Sequence, residues 1–360
     1  MGQKIIKVLI VEDSPIVTLI LKRILASSPE IEVVGTAGNG LEALELMPKV
    51  QPDVICTDLH MSRMNGLELT QTVMATDPKP ILVISASVQE ENQENVFKLL
   101  EAGAVDIFPK PAAGLKSDYD RAARELIGKI KILSGVSVFT HRHPKTNQKK
   151  NQRPLQNDRL QRGGPSHDHR KSYKIIAIGA STGGPQALYN ICSQLPASLP
   201  VPVICVQHIS EGFLQGLVDW LASKCQLPFR IALAGELPKP GTIYFPPERS
   251  HLLLNEQGKF VYSHAPAEGG HRPSVTVMMK SVAQYYGKRT VGVLLTGMGR
   301  DGAEGMQAIA RAGGFTIAQD EETCVVFGMP KEAIALDAVQ KILPISAIAP
   351  LLSRLIINCS

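Results

Sequence analysis

The chain has 360 residues, of which 44% are hydrophobic and 20% charged, a balance typical of globular proteins. This length exceeds what one ordinary hydrophobic core accommodates, so two domains are expected. No apolar run approaches the roughly 18 residues that a membrane span needs, and the N-terminal apolar run is short and meets two acidic residues. We therefore expect a soluble, cytoplasmic protein with no membrane insertion and no signal peptide.

The formal net charge of +5 is not spread evenly along the chain. Between His141 and Lys171, nine lysine or arginine residues face only Asp158 and Asp168, so this stretch carries about +7 and the rest of the chain about −2. Large apolar residues are scarce here, which predicts a basic flexible linker over residues 134–172. Because the excess of positive charge is confined to this segment, no nucleic-acid partner is expected.

The six cysteines predict neither a disulfide framework nor a zinc site. No two of them are close enough in the sequence for a Cys-x-x-Cys motif. Four fall in apolar stretches, where a buried and reduced thiol is typical.

The first part of the chain alternates apolar runs of strand length with amphipathic stretches. The predicted strands are Ile5–Val11, Glu32–Ala37, Val54–Thr57, Pro80–Ser85 and Asp106–Phe108. The predicted helices lie near Ser14–Ala26, Gly40–Leu46, Gly66–Met74, Gln93–Ala102 and Asp120–Leu133. Five β–α alternations predict a five-stranded, doubly wound parallel sheet of flavodoxin-like α/β type, in a domain over residues 5–122.

Polar side chains follow the strands of this predicted sheet. Glu12 and Asp13 follow the first strand, Asp58 the third and Lys110 the fifth, and Ser85 ends the fourth. Strand carboxyl ends meet at one edge, where repelling carboxylates need a cation, and oxygen ligands suit Mg²⁺. A carboxylate beside Mg²⁺ can accept a phosphoryl group, with the lysine and serine binding its oxygens. Each residue alone could be a helix cap or a surface charge, but together they favour a phosphoacceptor site.

A second α/β pattern begins at Tyr173 and predicts a domain over residues 173–355. Its predicted strands are Lys174–Gly179, Val203–Gln207, Val291–Thr296 and Phe315–Gln319. Its predicted helices are Pro185–Leu195, Phe213–Cys225, Val275–Tyr286 and Ala303–Ala312. Residues Ile231–Ser263 alternate strands with turns, which predicts β-hairpins. We expect a mainly parallel sheet with a hairpin region.

A short glycine-rich segment marks a candidate nucleophile in this second domain. Residues 179–183 fit Gly-x-Ser-x-Gly, with Ser181 on a sharp turn from strand to helix. A phosphate-binding loop is the competing interpretation, but neither the Gly-x-Gly-x-x-Gly nor the Gly-Lys-Ser spacing is present. The tight turn exposes the hydroxyl, and the helix N-terminus offers N–H groups to an oxyanion.

Two further strand ends supply candidates for a base and an acid. His208 follows the next strand, and Asp301 lies on the turn after a later one. Either could simply cap a helix. His251, His264 and His271 are rival bases, in the hairpin region or a loop rich in proline and glycine. With the serine, His208 and Asp301 predict a hydrolytic triad, in a chain order that differs from that of α/β-hydrolases.

Over roughly residues 5–122 the chain resembles the receiver domain of two-component response regulators. The resemblance rests on VLIVEDSP, DVICTDLHMSRMNGLEL, ILVISAS and AGAVDIFPKP. It implies that Asp58 is the phosphorylated aspartate and that Mg²⁺ is the cofactor of phosphorylation. The implied metal ligands are Glu12, Asp13 and Asp58, with Ser85 and Lys110 in support.

Over about residues 173–350 the motifs IGASTGGPQAL, VQHI, HRPSV, VGVLLTGMGRDGA and CVVFGMPKEAI are present. Together they resemble the catalytic domain of the chemotaxis protein-glutamate methylesterases, the CheB family. The resemblance implies that Ser181 is the nucleophile, His208 the base and Asp301 the orienting acid. It also implies that Thr182 helps to hold the histidine and that the backbone near Met298 helps to form the oxyanion hole. No cofactor is implied at this site.

These resemblances imply a phosphorylation-activated serine esterase that removes methyl esters from glutamate residues of chemoreceptors and releases methanol. Deamidation of receptor glutamine is an implied second activity. The implied partners are methyl-accepting chemoreceptors as substrate and a CheA-type histidine kinase as phosphodonor. One alternative is a response regulator whose C-terminal domain only docks receptors. Another is a DNA-binding regulator, but that would need a helix-turn-helix where the α/β pattern lies.

Overall fold

The computed structural model describes residues 4–86, 93–111, 116–136, 138 and 172–357. Within these ranges the chain forms two α/β units. The predicted linker lies almost wholly outside the described residues. None of the described helices combines the length and apolar character that crossing a lipid bilayer requires.

The first unit is a five-stranded parallel sheet with strand order β2-β1-β3-β4-β5. Its strands are β1 (Ile6–Val11), β2 (Ile31–Ala37), β3 (Val54–Thr57), β4 (Ile81–Ser85) and β5 (Asp106–Pro109). The helices are α1 (Pro15–Leu25), α2 (Gly40–Val50), α3 (Gly66–Thr76), α4 (Gln93–Glu101) and α5 (Lys116–Leu133). Every residue of β3 and β4 is buried, as expected of central strands covered on both faces. The predicted doubly wound fold is confirmed.

Local signals explain where these helices begin and end. The Ser14 hydroxyl accepts a hydrogen bond from Val17 N at the start of α1, and Asn65 forms a capping box with Glu68 at the start of α3. Helix α5 runs to Leu133, past the predicted domain end at residue 122. Its apolar positions Leu126, Ile130 and Leu133 are fully buried, so the core of the first unit requires this whole helix.

The second unit is a seven-stranded parallel sheet with strand order β14-β13-β12-β6-β7-β9-β8. Its strands are β6 (Ile175–Ala180), β7 (Val203–Gln207), β8 (Phe229–Ile231), β9 (Ile243–Phe245), β12 (Thr290–Leu294), β13 (Phe315–Gln319) and β14 (Lys341–Leu343). The helices are α6 (Gly184–Cys192), α7 (Leu214–Lys224), α8 (Val275–Tyr286), α9 (Ala303–Arg311), α10 (Met329–Ala335) and α11 (Ile345–Ile357). The predicted mainly parallel sheet is confirmed.

The predicted hairpin region is only partly a hairpin. Strands β10 (His251–Leu254) and β11 (Phe260–Ser263) pair in antiparallel fashion, as predicted. For β9 the hairpin prediction is wrong, because this strand joins the main sheet in parallel with β7 and with β8, which lies almost wholly before the predicted region. Their side chains Phe229, Ile243 and Phe245 are buried in the main core, and this burial draws the two short strands into the large sheet.

The two units pack against each other through α4 and α7. Phe97 of α4 stacks on Trp220 of α7, with ring centroids 5.6 Å apart and an interplanar angle of 18°. The Trp220 indole donates a 2.7 Å hydrogen bond to Glu101 Oε1, and Lys224 Nζ lies 3.0 Å from the same oxygen. Both aromatic side chains are almost fully buried and belong to one apolar cluster that spans both units.

Truncating the aromatic side chain at this interface should destabilise the protein. We expect Trp220→Ala to lower the free energy of unfolding by about 3–5 kcal/mol, because it opens a cavity and removes the indole hydrogen bond to Glu101. Urea denaturation followed by circular dichroism measures this change. The half-exposed Leu237 is the control, and Leu237→Ala should cost about 0.5 kcal/mol or less. A similar small loss for Trp220→Ala would contradict the packing described.

Candidate active site

The carboxyl ends of three adjacent strands bring three predicted site residues to one edge of the second sheet. Ser181 follows β6, His208 follows β7, and Asp301 lies on the turn after β12. Backbone hydrogen bonds join these turns, from His208 N to the Ala180 carbonyl and from Ser181 N to the Thr296 carbonyl, both 3.0 Å long. The three side chains are far apart in sequence, and the strand order alone makes them neighbours.

His208 and Asp301 are directly hydrogen-bonded. The distance from His208 Nε2 to Asp301 Oδ2 is 2.9 Å, and both side chains are largely buried. An ionised carboxylate can only accept, so the imidazole carries its proton on Nε2. The other ring nitrogen, Nδ1, is buried and has no hydrogen-bond partner among the described residues. Nδ1 is therefore the nitrogen free to accept a proton from a nucleophile.

The Asp301 carboxylate is held by the N-terminus of α8. It accepts hydrogen bonds from the Ser274 hydroxyl at 2.8 Å, from Val275 N at 2.8 Å and from Thr276 N at 2.9 Å. Burial alone would raise the pKa of Asp301, but the bonds from His208 and Thr276 hold this pKa well below its usual range. The carboxyl is therefore an anion. It is not an ordinary side-chain cap of α9, because Gly302 occupies the N-cap position of that helix.

The turn that carries Ser181 is built from close backbone contacts. Gly183 has a positive φ of 76°, which a side chain would strain. Gly297 lies against the serine, and a Cβ there would come within 2.6 Å of Ser181 Cβ. Within the described residues, no hydrogen bond joins Ser181 Oγ to His208. Such a bond often forms only once a substrate is in place.

The rival histidines have other surroundings. His251 is almost fully buried, accepts from Ser274 N at 3.2 Å and lies 3.2 Å from the Pro266 carbonyl, which its second nitrogen can reach as a donor. His264 Nδ1 lies 3.3 Å from the Ser250 hydroxyl. Within the described part of the chain, neither therefore has an acid partner such as Asp301 is for His208.

His271 lies flat against the ring of His208. The ring centroids are 3.8 Å apart and the interplanar angle is 1°. Burial, helped by His208 and Lys129 and opposed by Asp301, lowers the pKa of His271 to about 4. His271 is therefore a neutral ring that restricts the rotation of His208.

The first unit covers one side of this edge. The buried Thr182 hydroxyl donates to Asp106 Oδ2 of β5 at 3.4 Å rather than to His208, and Asp106 also pairs with Lys129 of α5. Val325, on the loop before α10, packs against the core of the first unit. Beside it lies a cleft of about 680 Å³ between the end of α5 and the loop that bears the half-exposed Met298. The sheet edge that carries Ser181, His208 and Asp301, here called the active edge, is therefore only partly open to solvent.

The predicted phosphoacceptor residues also meet at one sheet edge. Lys110 Nζ lies 2.8 Å from Asp58 Oδ2 and 2.9 Å from Glu12 Oε2. Ligand atoms of Glu12, Asp13 and Asp58 lie within 4.8 Å of one another. Ser85 is buried at the end of β4.

The electrostatics of this edge suit a hard divalent cation. Burial and the neighbouring Asp58 raise the pKa of Glu12 despite its bond to Lys110. Burial alone would lower the pKa of Lys110, but its bonds to Asp58 and Glu12 raise it, so the ammonium is charged. Three crowded carboxylates with oxygen-only ligands fit Mg²⁺.

Several side chains that build the active edge were not predicted from the sequence. Ser274 could have been found, since a serine before an apolar helical run signals an N-cap. The stack of His271 on His208 and the contact of Asp106 with Thr182 arise only from tertiary packing, so no local pattern marks them.

The first unit, with its acidic strand ends and apposed lysine, defines a receiver of the response-regulator class. The family models agree: "Response regulator receiver domain" matches residues 8–116, and "CheB methylesterase" matches residues 176–352. A protein of Nitrosospira multiformis named protein-glutamate methylesterase/protein-glutamine glutaminase is 40% identical over 351 residues, 98% of this chain and 97% of that protein. The chain belongs to the CheB family of protein-glutamate methylesterases/protein-glutamine glutaminases.

Other relatives agree with this membership. A protein of the same name from Geobacter metallireducens is 41% identical over 97% of this chain and 99% of its own length. The crystal structure of the Thermotoga maritima CheB methylesterase catalytic domain is similar with a TM-score of 0.50 and 40% identity, over 51% of this chain and 99% of that domain. The second unit thus has the fold of that catalytic domain.

The lowered pKa of His271 should make the stability of the protein depend on pH. Between its usual 6.5 and about 4, the unfolded chain binds a proton that the folded protein does not, so stability falls as the pH falls through this window. His271→Phe keeps a stacked ring and removes this contribution. We expect urea denaturation at pH 7 and pH 5 to give the variant about 1–2 kcal/mol less acid destabilisation than the parent protein. Equal losses would contradict a neutral, buried His271.

Proposed function

We propose that this chain is a phosphorylation-activated serine esterase that removes methyl esters from glutamate residues of chemoreceptors and releases methanol. The observation that carries the proposal is the hydrogen-bonded pair of His208 and Asp301, which lies on strand ends adjacent to the Ser181 turn. The names of the relatives support the same substrate class. A module that only docks receptors would not need a buried base with a free nitrogen, so that alternative is not favoured.

The proposed chemistry is acyl transfer in two steps. Ser181 Oγ attacks the carbonyl carbon of the ester while His208 Nδ1 takes the serine proton. The imidazolium gives this proton to the departing methoxide, and methanol leaves behind a glutamyl ester of the enzyme. Water, deprotonated by His208, then cleaves this ester and restores the serine. Asp301 stabilises the imidazolium, and backbone N–H groups near Met298 are proposed to hold the oxyanion.

The same steps would deamidate receptor glutamine, with ammonia as the leaving group in place of methanol. The relatives' names include protein-glutamine glutaminase, which supports this second activity. No cofactor is proposed for the esterase site, and we propose that the protein acts in the cytoplasm without binding nucleic acid.

The first unit would control the esterase through Asp58. A CheA-type histidine kinase is the proposed donor, and Asp58 would accept the phosphoryl group beside Lys110 and Ser85. Glu12, Asp13 and Asp58 would hold Mg²⁺, which neutralises charge on the phosphoryl oxygens when bound.

The proposed regulation is a partial covering of the active edge that phosphorylation relieves. Strand β5 contacts Thr182 through Asp106 and is followed directly by Lys110 of the phosphoacceptor site. A new charge at Asp58 would draw Lys110 into different contacts and shift the packing of β5 and α5 against the esterase unit.

We propose domain limits of 5–122 for the receiver, with α5 added, 134–172 for the linker and 173–355 for the esterase.

Removing the proposed nucleophile should abolish the reaction. We expect Ser181→Ala to release no methanol above background from methylated receptor, with an unchanged circular dichroism spectrum, because the other hydroxyl of that turn, that of Thr182, is buried and donates to Asp106. Ser210→Ala, on the neighbouring turn after β7, is the matched control and should retain normal activity. Methanol release by Ser181→Ala at the parent rate would remove the serine from the mechanism.

Activation should need both the acceptor aspartate and the metal. We expect a small-molecule phosphodonor with Mg²⁺ to raise the methanol release rate of the parent protein but not that of Asp58→Asn, since an amide cannot form the acyl phosphate. Chelation of the metal should remove the activation of the parent protein. Asp77→Asn, at the far end of α3, is the control and should still respond. A response of Asp58→Asn equal to that of the parent would refute the assignment.

A further inference from the structure

We infer that Gln207 is a positioning residue that fixes the nucleophile turn against the base. This inference rests on the proposed function and adds a residue to its machinery. Gln207 is the last residue of the buried strand β7 and immediately precedes His208. Its side chain is only 4% exposed; its Nε2 has two acceptors inside the protein, while its Oε1 has no hydrogen-bond partner among the described residues.

The Gln207 amide joins the two turns directly. Its Nε2 donates one hydrogen bond to the Ser181 carbonyl and another to the His208 carbonyl, each 2.8 Å long. Both hydrogens of the NH₂ group are therefore used, and both acceptors belong to proposed catalytic residues. One rigid, planar group thus sets the distance between the backbone of the serine and that of the histidine.

The orientation of this amide is fixed by its surroundings. A flipped amide would place its oxygen against two carbonyl oxygens, which repel it, so the nitrogen must face the two turns. On the other side, a Cβ on Gly184 would come within 1.9 Å of Gln207 Oε1. The second glycine of the Gly183-Gly184 pair therefore leaves the space that the glutamine amide fills.

Without the Gln207 side chain, fewer hydrogen bonds would join the Ser181 turn to the His208 turn. The ladder between β6 and β7 ends with the bond from His208 N to the Ala180 carbonyl, one residue before the serine. Beyond that point Gln207 carries the described link between Ser181 and His208. Loss of this link should shift Ser181 Oγ relative to His208 Nδ1, and a misplacement of about 1 Å can cost about 10²-fold in rate.

Gln207 should affect alignment without affecting the charge of the base. The groups that face His208 are Asp301, which α8 holds independently, and His271, which stacks on it. Lys129 of the first unit lies near these rings. None of these groups contacts the Gln207 amide in the described hydrogen bonds, so the pH at which activity rises should be the same with and without it.

The test compares Gln207→Met and Gln207→Glu with the parent protein in methanol release from methylated receptor. Methionine keeps the length but has no donor, and glutamate places an anion against two carbonyls. We expect kcat to fall at least about 10-fold in both variants, with KM changed less than about twofold, and we expect the uncharged Gln207→Met to keep the pH profile of the parent. Gln340→Met, which removes a bond to the Gly314 carbonyl at the far side of the sheet, is the control and should match the parent.

A second measurement distinguishes misalignment of Ser181 from a loss of protein stability. The rate constant for covalent capture of Ser181 by a fluorophosphonate, measured on the folded fraction, should fall with kcat in both variants. An unchanged capture rate constant, or a parent-like kcat in either variant, would overturn the role of Gln207. Gly184→Ala, whose Cβ would meet both Gln207 Oε1 at 1.9 Å and Ala180 Cβ at 2.9 Å, should lose at least as much activity, and Gln207→Glu keeps the inference testable if Gln207→Met does not fold. If Ser181→Ala still releases methanol, the proposed function fails instead, whatever the glutamine variants do.

Discussion

The interaction on which the rest of this protein depends is the buried carboxylate of Asp301. Three donors at the start of α8 hold it in place, and it can be an anion in the interior only because they and His208 bond it. That anion sets the proton of His208 on Nε2 and so leaves Nδ1 as the acceptor. The chemistry proposed for Ser181 thus depends on a helix N-terminus that belongs to a different part of the chain.

The two sheet edges serve different chemistry but are physically linked. At the receiver edge, the ammonium group of Lys110 forms ion pairs with the crowded carboxylates of Glu12 and Asp58. At the esterase edge, uncharged groups such as Gln207 and Thr296 hold the turns, so the charge stays with Asp301. Strand β5 connects the two, because Asp106 at its start contacts Thr182 while Lys110 follows its end. The proposed regulation uses this strand to carry a charge change at one edge to the other.

Much of the fold could be predicted because parallel strands covered on both faces are continuous apolar runs. Strands β3, β7 and β13 were predicted with the observed limits for this reason. Strand β9 was misassigned and β8 was missed, since three-residue strands carry no periodicity and only burial against the large core decides their partners. The site residues were predicted because they follow strand ends. Residues that support the site by contacting His208 or the Ser181 turn, such as His271 and Gln207, could not be predicted, because these contacts arise from tertiary packing, which a single sequence does not display.

The position of the imidazole proton tests the central claim most directly. An NMR spectrum of the resting protein with ¹⁵N-labelled histidine reports which nitrogen of His208 carries hydrogen. The account predicts a slowly exchanging proton on Nε2, shifted far downfield by the Asp301 carboxylate and lost in Asp301→Ala, with a bare Nδ1. A proton found on Nδ1, or an Nε2 signal unaffected by the loss of Asp301, would contradict it.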